Sequence, residues 1–159
     1  MSNRSLVFFF DNESPEMQHA IKRARQTFRC FWRDVSWEYR RIIPALDLAC
    51  VKGAFWDDAE PAAESTVEQM WVNDVTFDGK ELQGTLINQP NWLTSVSQGD
   101  SVCFKPDRIT DWMYAIQNRV CGAFTVNAMR RAMSITEREA HDEAWGLDFG
   151  DPREIRLVP

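Results

Sequence analysis

Gln69-Met70-Trp71-Val72-Asn73-Asp74-Val75-Thr76-Phe77, the turn Asp78-Gly79 and Glu81-Leu82-Gln83-Gly84-Thr85-Leu86-Ile87-Asn88 decide the fold class. Two runs rich in β-branched and aromatic residues flank a dipeptide that accepts positive φ, a pattern that predicts an antiparallel hairpin. Beyond it, Gln89-Pro90-Asn91-Trp92 reads as a loop, Gly99-Asp100 as a turn and residues 101–105 as a third strand of the series. Residues 112–116 and 120–124, on either side of Gln117-Asn118-Arg119, predict a second hairpin. Before the first hairpin, residues 46–56 read as a strand with Leu48, Cys50 and Phe55 facing a core, and residues 57–68 as a polar loop.

The strands need helices to cover them. Ser14-Pro15 supplies a capping hydroxyl followed by proline at the first helical position. Met17, Ile21, Ala24, Phe28, Phe31 and Val35 then step by three or four residues, so they share one helical stripe, and Pro44 closes the region. Upstream, Leu6-Val7-Phe8-Phe9-Phe10 suits a buried strand. Downstream, Thr125 is expected to cap a helical turn reaching Met133. Ser134-Ile135-Thr136-Glu137 has the spacing of a capping box, opening a helix that runs to Trp145 and stops at Gly146. The tail has two readings, a short edge strand around Ile155 and Leu157 or a loose end. The architecture is therefore expected to be α+β, a curved antiparallel sheet packed by a long N-terminal helix and short C-terminal helices.

A chain of 159 residues has the size of one domain. Residues 1–159 are accordingly read as a single unit, with a helical region at 14–43, a sheet core at 46–130 and an acidic extension at 134–159. Net charge is −6 with an isoelectric point near 4.9, which argues against nucleic-acid and membrane partners and favours a basic one. Seven of the 18 basic residues nevertheless crowd the first helix and its continuation, from Lys22 to Arg41. Such a run ordinarily forms a solvated helix face. Cys30, Cys50, Cys103 and Cys121 form no C-x-x-C pair and read as packing thiols in a reducing cytosol, and no apolar run is long enough for a signal peptide or a membrane span.

Chemistry is hard to find. His19 and His141 are the only imidazoles, both on predicted helices, and no zinc, calcium, nucleotide or nucleophile-elbow spacing occurs. The chain is therefore expected to use no metal or cofactor and not to be an enzyme. Asp57-Asp58, side by side on a polar loop, read as hydrated, and Cys121 has no histidine near it in sequence. What remains is aromatic and acidic. Ile109-Thr110-Asp111-Trp112-Met113-Tyr114 sets two large rings around a carboxylate, and Trp71 and Trp92 sit near Glu68, Asn88 and Asp100. Rings of this kind serve either as core or as interface anchors.

Glu68-Gln69-Met70-Trp71-Val72, Gly84-Thr85-Leu86-Ile87-Asn88-Gln89-Pro90, Gly99-Asp100-Ser101-Val102, Ile109-Thr110-Asp111-Trp112-Met113-Tyr114 and Gly122-Ala123-Phe124-Thr125 together resemble the bacterial family catalogued as domain of unknown function 2314. The resemblance spans about residues 46–130 closely and implies a fold and a bacterial cytoplasmic setting, because the family has no settled activity. Gln69 and Gln89 stand where the family usually has a histidine and an acid, so no imidazole or carboxylate role carries over to them.

The leading expectation is a non-enzymatic protein-binding protein, an immunity protein that occludes the active site of a cognate toxin domain with a basic cleft, monomeric when free. Its contact residues are expected among Asp57, Asp58, Glu60, Glu64, Glu68, Trp92, Asp111, Trp112, Tyr114, Glu137, Glu139, Asp142 and Glu143. The alternative is a small enzyme or metabolite sensor with a pocket around Asp111-Trp112.

Overall fold

The computed structural model describes residues 14–57 and 67–159. The strand expected at Leu6–Phe10 and most of the loop after Asp57 lie outside the described residues. Within them, the first helix, α1 (Pro15–Glu38), starts where the sequence puts it, with the Met17 N–H donating to Ser14 Oγ at 3.2 Å and Pro15 in the first turn. Its buried residues are the six of the expected stripe plus Ala20. It stops at Glu38, six residues before Pro44. The Glu38 carboxylate accepts the N–H groups of Ala45 and Leu46 at 2.8 and 3.0 Å, which folds the chain into the next strand.

Six strands follow: β1 (Leu48–Phe55), β2 (Glu68–Phe77), β3 (Leu82–Leu86), β4 (Ser101–Phe104), β5 (Ile109–Ile116) and β6 (Arg119–Gly122). They form one antiparallel sheet in the order β4-β3-β2-β1-β5-β6. Between β4 and β5 the chain makes only a 3-10 turn at Pro106–Arg108, yet it passes from one edge to the far side of β1. Curling of the sheet makes this short path workable. The Phe104 and Phe55 rings meet at 5.4 Å although β2 and β3 separate their strands. Gly53 carries no Cβ where one would sit 3.2 Å from each of those rings.

Strand alternation divides the core. Val51, Phe55, Val72, Leu86, Trp112 and Tyr114 face α1 and form the main cluster. Cys50, Met113 and Ala115 point the other way and pack with Val126 and Phe149, with Leu48 beside them. Leu48, Cys50 and Phe55 all face a core as expected, Phe55 the main cluster and Leu48 and Cys50 the one on the opposite face. The second hairpin turns tightly at Gln117-Asn118, both at positive φ, so β6 starts at Arg119. Cys103 is exposed on the edge strand β4, its thiol facing Glu81 at 3.3 Å, and is not a packing thiol; Cys50 and Cys121 are.

Two helices close the chain. The first, α2 (Phe124–Ala132), packs beside α1; the second, α3 (Ile135–Trp145), has the expected capping box and ends at Gly146 in the left-handed region. The tail forms no strand at Ile155 and Leu157, but both side chains dock on the main core, and the Gly122 N–H donates to Arg156 O at 2.7 Å. Among the described residues no helix is long and apolar enough to cross a membrane.

Candidate functional site

The segment 109–114 lies on β5 at the centre of the molecule, and its alternation sets each side chain's environment. Trp112 and Tyr114 face α1, stacked on each other at 6.0 Å and 11°, with Phe31 against both rings and Phe124 edge-on to Trp112. Their polar tips are matched by α1. The indole N–H donates to Ala24 O and Thr27 Oγ1 at 3.0 and 3.2 Å, and the Tyr114 hydroxyl donates to Asp34 Oδ2 at 2.6 Å. A Trp or Tyr so satisfied loses nothing by burial, and neither shows any surface. Burial, reinforced by Asp34, pushes the Tyr114 hydroxyl pKa far up.

Asp111 points to the opposite face and is also fully buried. Its carboxylate accepts the N–H groups of Trp112, Phe124 and Thr125 at 2.8, 2.9 and 2.9 Å, together with the Thr125 hydroxyl. Two of those donors are the free N–H groups that open α2. The residue before α2, Ala123, has a left-handed backbone and offers no side-chain cap, so the cap arrives from a strand twelve residues earlier in the chain. The expectation that Thr125 caps this helix is corrected: its hydroxyl donates to Asp111 and accepts from Lys52 Nζ at 2.5 Å.

Lys52 pairs with Asp111 across β1 and β5 and with Trp71 across β1 and β2, so its ammonium sits 5.3 Å from the Trp71 ring centroid. Lys52 as a whole is half-buried. Burial lowers the Lys52 pKa and raises that of Asp111, and in each the partner's charge opposes the shift. Lys52, Thr125 and Asp111 form one connected buried polar group. Its geometry can hold charges and orient a helix terminus.

The Gly122-Ala123-Phe124-Thr125 segment gains its meaning here. Gly122 has φ +78°, and a Cβ there would lie 2.4 Å from Trp112 O and 2.5 Å from its ring. Only glycine lets the chain turn this close to Trp112 and present two N–H groups to Asp111. The other motifs meet in the same way. Glu68 is buried and accepts the N–H groups of Asn91, Trp92 and Leu93 at 2.8, 3.1 and 3.0 Å. Asn88 Oδ1 accepts the Trp71 N–H at 2.6 Å.

Several expected contact residues are therefore placed inside. Asp111, Trp112 and Tyr114 present no surface, Glu68 holds a loop, and Asp142 clamps Arg130 Nε and Nη2 at 2.8 and 2.6 Å. Arg130, itself 2% exposed, also donates to Asn127 Oδ1 and Gly150 O and lies over the Phe149 ring, so it is the bolt between α2, α3 and the tail. Asp57 is exposed, and its carboxylate binds the backbone and hydroxyls of Thr94 and Ser95, which hold its pKa down at about 2. Trp92 is 63% exposed. Glu137 closes its own capping box, whereas Glu139 and Glu143 are exposed without a partner among the described residues. Asp58, Glu60 and Glu64 lie outside the described residues.

Sequence reasoning missed Lys52, Thr125 and Arg130 as the joints of this arrangement. The available signal was a lone lysine inside the apolar strand 48–55. Two surface clefts lie elsewhere. One of about 250 Å³ is lined by Val35, Tyr39, Leu46 and Asn73, and one of about 180 Å³ by Phe77, Glu81, Gln83 and Cys103. Neither includes Asp111 or Trp112, so they give no support to a pocket there. No group of three or more metal-binding side chains occurs among the described residues.

Comparison with known proteins agrees with the motif geometry. The chain is 46% identical over 158 residues to a protein of Neisseria meningitidis serogroup B named "Putative ankyrin repeat protein", covering 99% of this chain and 62% of that one. It is 31% identical over 62 residues to the uncharacterised protein YegJ of Escherichia coli K12, covering 39% of this chain and 40% of that one. The chain thus spans less than two thirds of the length of the curated relatives it matches. No solved structure matches significantly. A family described as an uncharacterised protein conserved in bacteria matches residues 14–149. With its motifs accounted for as joints of one fold, the chain belongs to that bacterial family, domain of unknown function 2314.

Proposed function

We propose that the protein acts by binding another protein, without covalent chemistry, and that its partner is a bacterial toxin domain with a basic cleft, which it neutralises as an immunity protein in the cytoplasm. The observation that carries this reading is α3, an eleven-residue helix with no buried residue. It is fastened by Arg130 to Asp142, by Arg138 Nε to Arg130 O and by His141 and Trp145 against Phe149. A helix that buries nothing contributes little to the core. Its outer face carries Ile135, Glu139 and Glu143 in successive turns, an apolar anchor followed by two unpaired carboxylates. Such a face suits a basic cleft, where complementary charge speeds capture.

Further support comes from the internal use of Asp111, Glu68 and Asp142, whose carboxylates are taken up by backbone N–H groups, the Thr125 hydroxyl and Arg130. The Neisseria relative is named for ankyrin repeats, a class whose stacked repeats form extended binding surfaces. The test uses a toxin domain encoded beside this chain. Co-expressed wild-type protein is expected to restore growth and to form a complex on gel filtration, and Glu139→Lys with Glu143→Lys to abolish both while leaving the fold intact. Unrelieved toxicity with no complex from the wild-type protein would refute the reading.

A further inference from the structure

Three of the five basic residues of α1, Lys22, Arg29 and Arg33, fall on its solvent side, while Arg23 lies over the Phe124 ring and Arg25 donates to Ile109 O. Lys22, Gln26, Arg29, Arg33, Trp37 and Arg40 follow one another at intervals of four, three, four, four and three, the stripe opposite Phe28, Phe31 and Val35. Lys22, Arg29 and Arg41 form no ion pair among the described residues, and Arg33 pairs only with its neighbour Asp34 at the surface. The acids nearest the stripe are already hydrogen-bonded: Asp34 accepts from the Tyr114 hydroxyl as well as from Arg33, and Glu38 from the Ala45 and Leu46 N–H groups. Glu38, Asp47 and Asp74 line the cleft beside Tyr39, and with Asp34 they set four negative charges, gathered to one side, against the five positive ones of the stripe and tip. In a chain of net charge −6 this is a segregated cationic face.

The stripe ends in an apolar tip. Ile42 is 100% exposed and Ile43 80%, next to Trp37 at 55% and Tyr39 at 56%. Arg40 lies over the Trp37 ring at 5.4 Å, and Tyr39 is anchored by its hydroxyl to Val75 O at 2.6 Å. Isolated exposed side chains need no explanation, but two adjacent, fully presented isoleucines ringed by Trp, Tyr and two arginines do. Nucleic acid would take the arginines and leave the isoleucines in water. An anionic bilayer takes both, because its headgroups attract cations, its interface holds Trp and Tyr, and its acyl region accepts aliphatic chains.

We propose that the solvent face of α1 and the Trp37–Ile43 tip dock the protein reversibly on an anionic phospholipid surface, with Ile42 and Ile43 entering the acyl boundary and the arginines seated at the phosphates. The inference is independent of the partner assigned to α3. Neither element would hold alone, since marginal apolar insertion and a polybasic patch bind stably only together.

The test is flotation of the full chain with vesicles of phosphatidylcholine containing roughly one-third phosphatidylglycerol, against pure phosphatidylcholine. Binding to the anionic vesicles alone is expected, with a blue shift of tryptophan emission that Trp37→Phe removes, and release by high salt. Ile42→Ser with Ile43→Ser is expected to lower partitioning at least about tenfold, and Arg29→Glu with Arg33→Glu by a similar factor, both with wild-type melting curves because the altered side chains are exposed. Absence of binding to anionic vesicles at low salt, or binding indifferent to the isoleucine change, overturns the proposal. So does a dimer on gel filtration that the isoleucine change dissociates while vesicle binding is absent, which would assign the tip to a second copy of this chain.

Discussion

Strand β5 and helix α3 carry the same kinds of side chain, carboxylates beside large aromatic rings, and the fold uses them in opposite ways. On β5 the Asp111 carboxylate meets two helix-opening N–H groups, and Trp112 and Tyr114 meet acceptors on α1. On α3 the helix opens with its own capping box, so Glu139 and Glu143 are left to solvent. Whether a carboxylate is available to a partner depends on whether nearby backbone donors already claim it.

The contrast can be broken most forcefully at β5. Asp111→Ala leaves the opening N–H groups of α2 unpaired and the Lys52 ammonium without its countercharge, and should cost about 4 kcal/mol in chemical denaturation. A loss below about 1 kcal/mol would mean that the carboxylate is not the cap. Arg130→Ala removes the fastening of α3 and is expected to cost about 3 kcal/mol, with α3 becoming the first site of proteolysis. Thr125→Val keeps the shape but deletes the hydroxyl between Lys52 and Asp111, an expected loss of about 1.5 kcal/mol by the same measurement. At the other extreme, Glu139→Gln and Glu143→Gln should each stay within about 0.5 kcal/mol of wild type.

Asp57 sharpens the comparison from a third direction, as an exposed carboxylate that is nonetheless bonded. Its pKa is depressed to about 2, led by the Ser95 hydroxyl and N–H. A depressed carboxylate binds fewer protons folded than unfolded, so its contribution is complete above the ordinary aspartate range and is lost as pH falls through about 2. Carboxyl NMR titration should find Asp57 titrating well below the ordinary aspartate range. Asp57→Asn should remove that part of the acid dependence.

Much of the fold was legible from local signals. Ser14-Pro15 and the stripe from Met17 to Val35 fixed α1, Asp78-Gly79 fixed the first hairpin, and Ser134 with Glu137 fixed α3, because each signal lies within one element. The site was less legible. That Trp112 is core and Asp111 a cap depends on Ala24, Thr27 and Phe124, which are distant in sequence and become neighbours only after the sheet curls and Gly122 turns the chain. Composition alone could not separate a ring with its polar tip satisfied by α1 from a ring awaiting a partner. The charge argument was blunt for the same reason, since a net −6 says nothing of five cations gathered on α1 and its tip.

Amide hydrogen exchange at Phe124 and Thr125 tests the central claim most directly, that the β5 carboxylate serves the fold and leaves recognition to surfaces elsewhere. In the wild-type protein both amides should be as protected as the core strands, and in Asp111→Ala they should exchange orders of magnitude faster than the amides of those strands. Equal protection of those two amides in both proteins would contradict it.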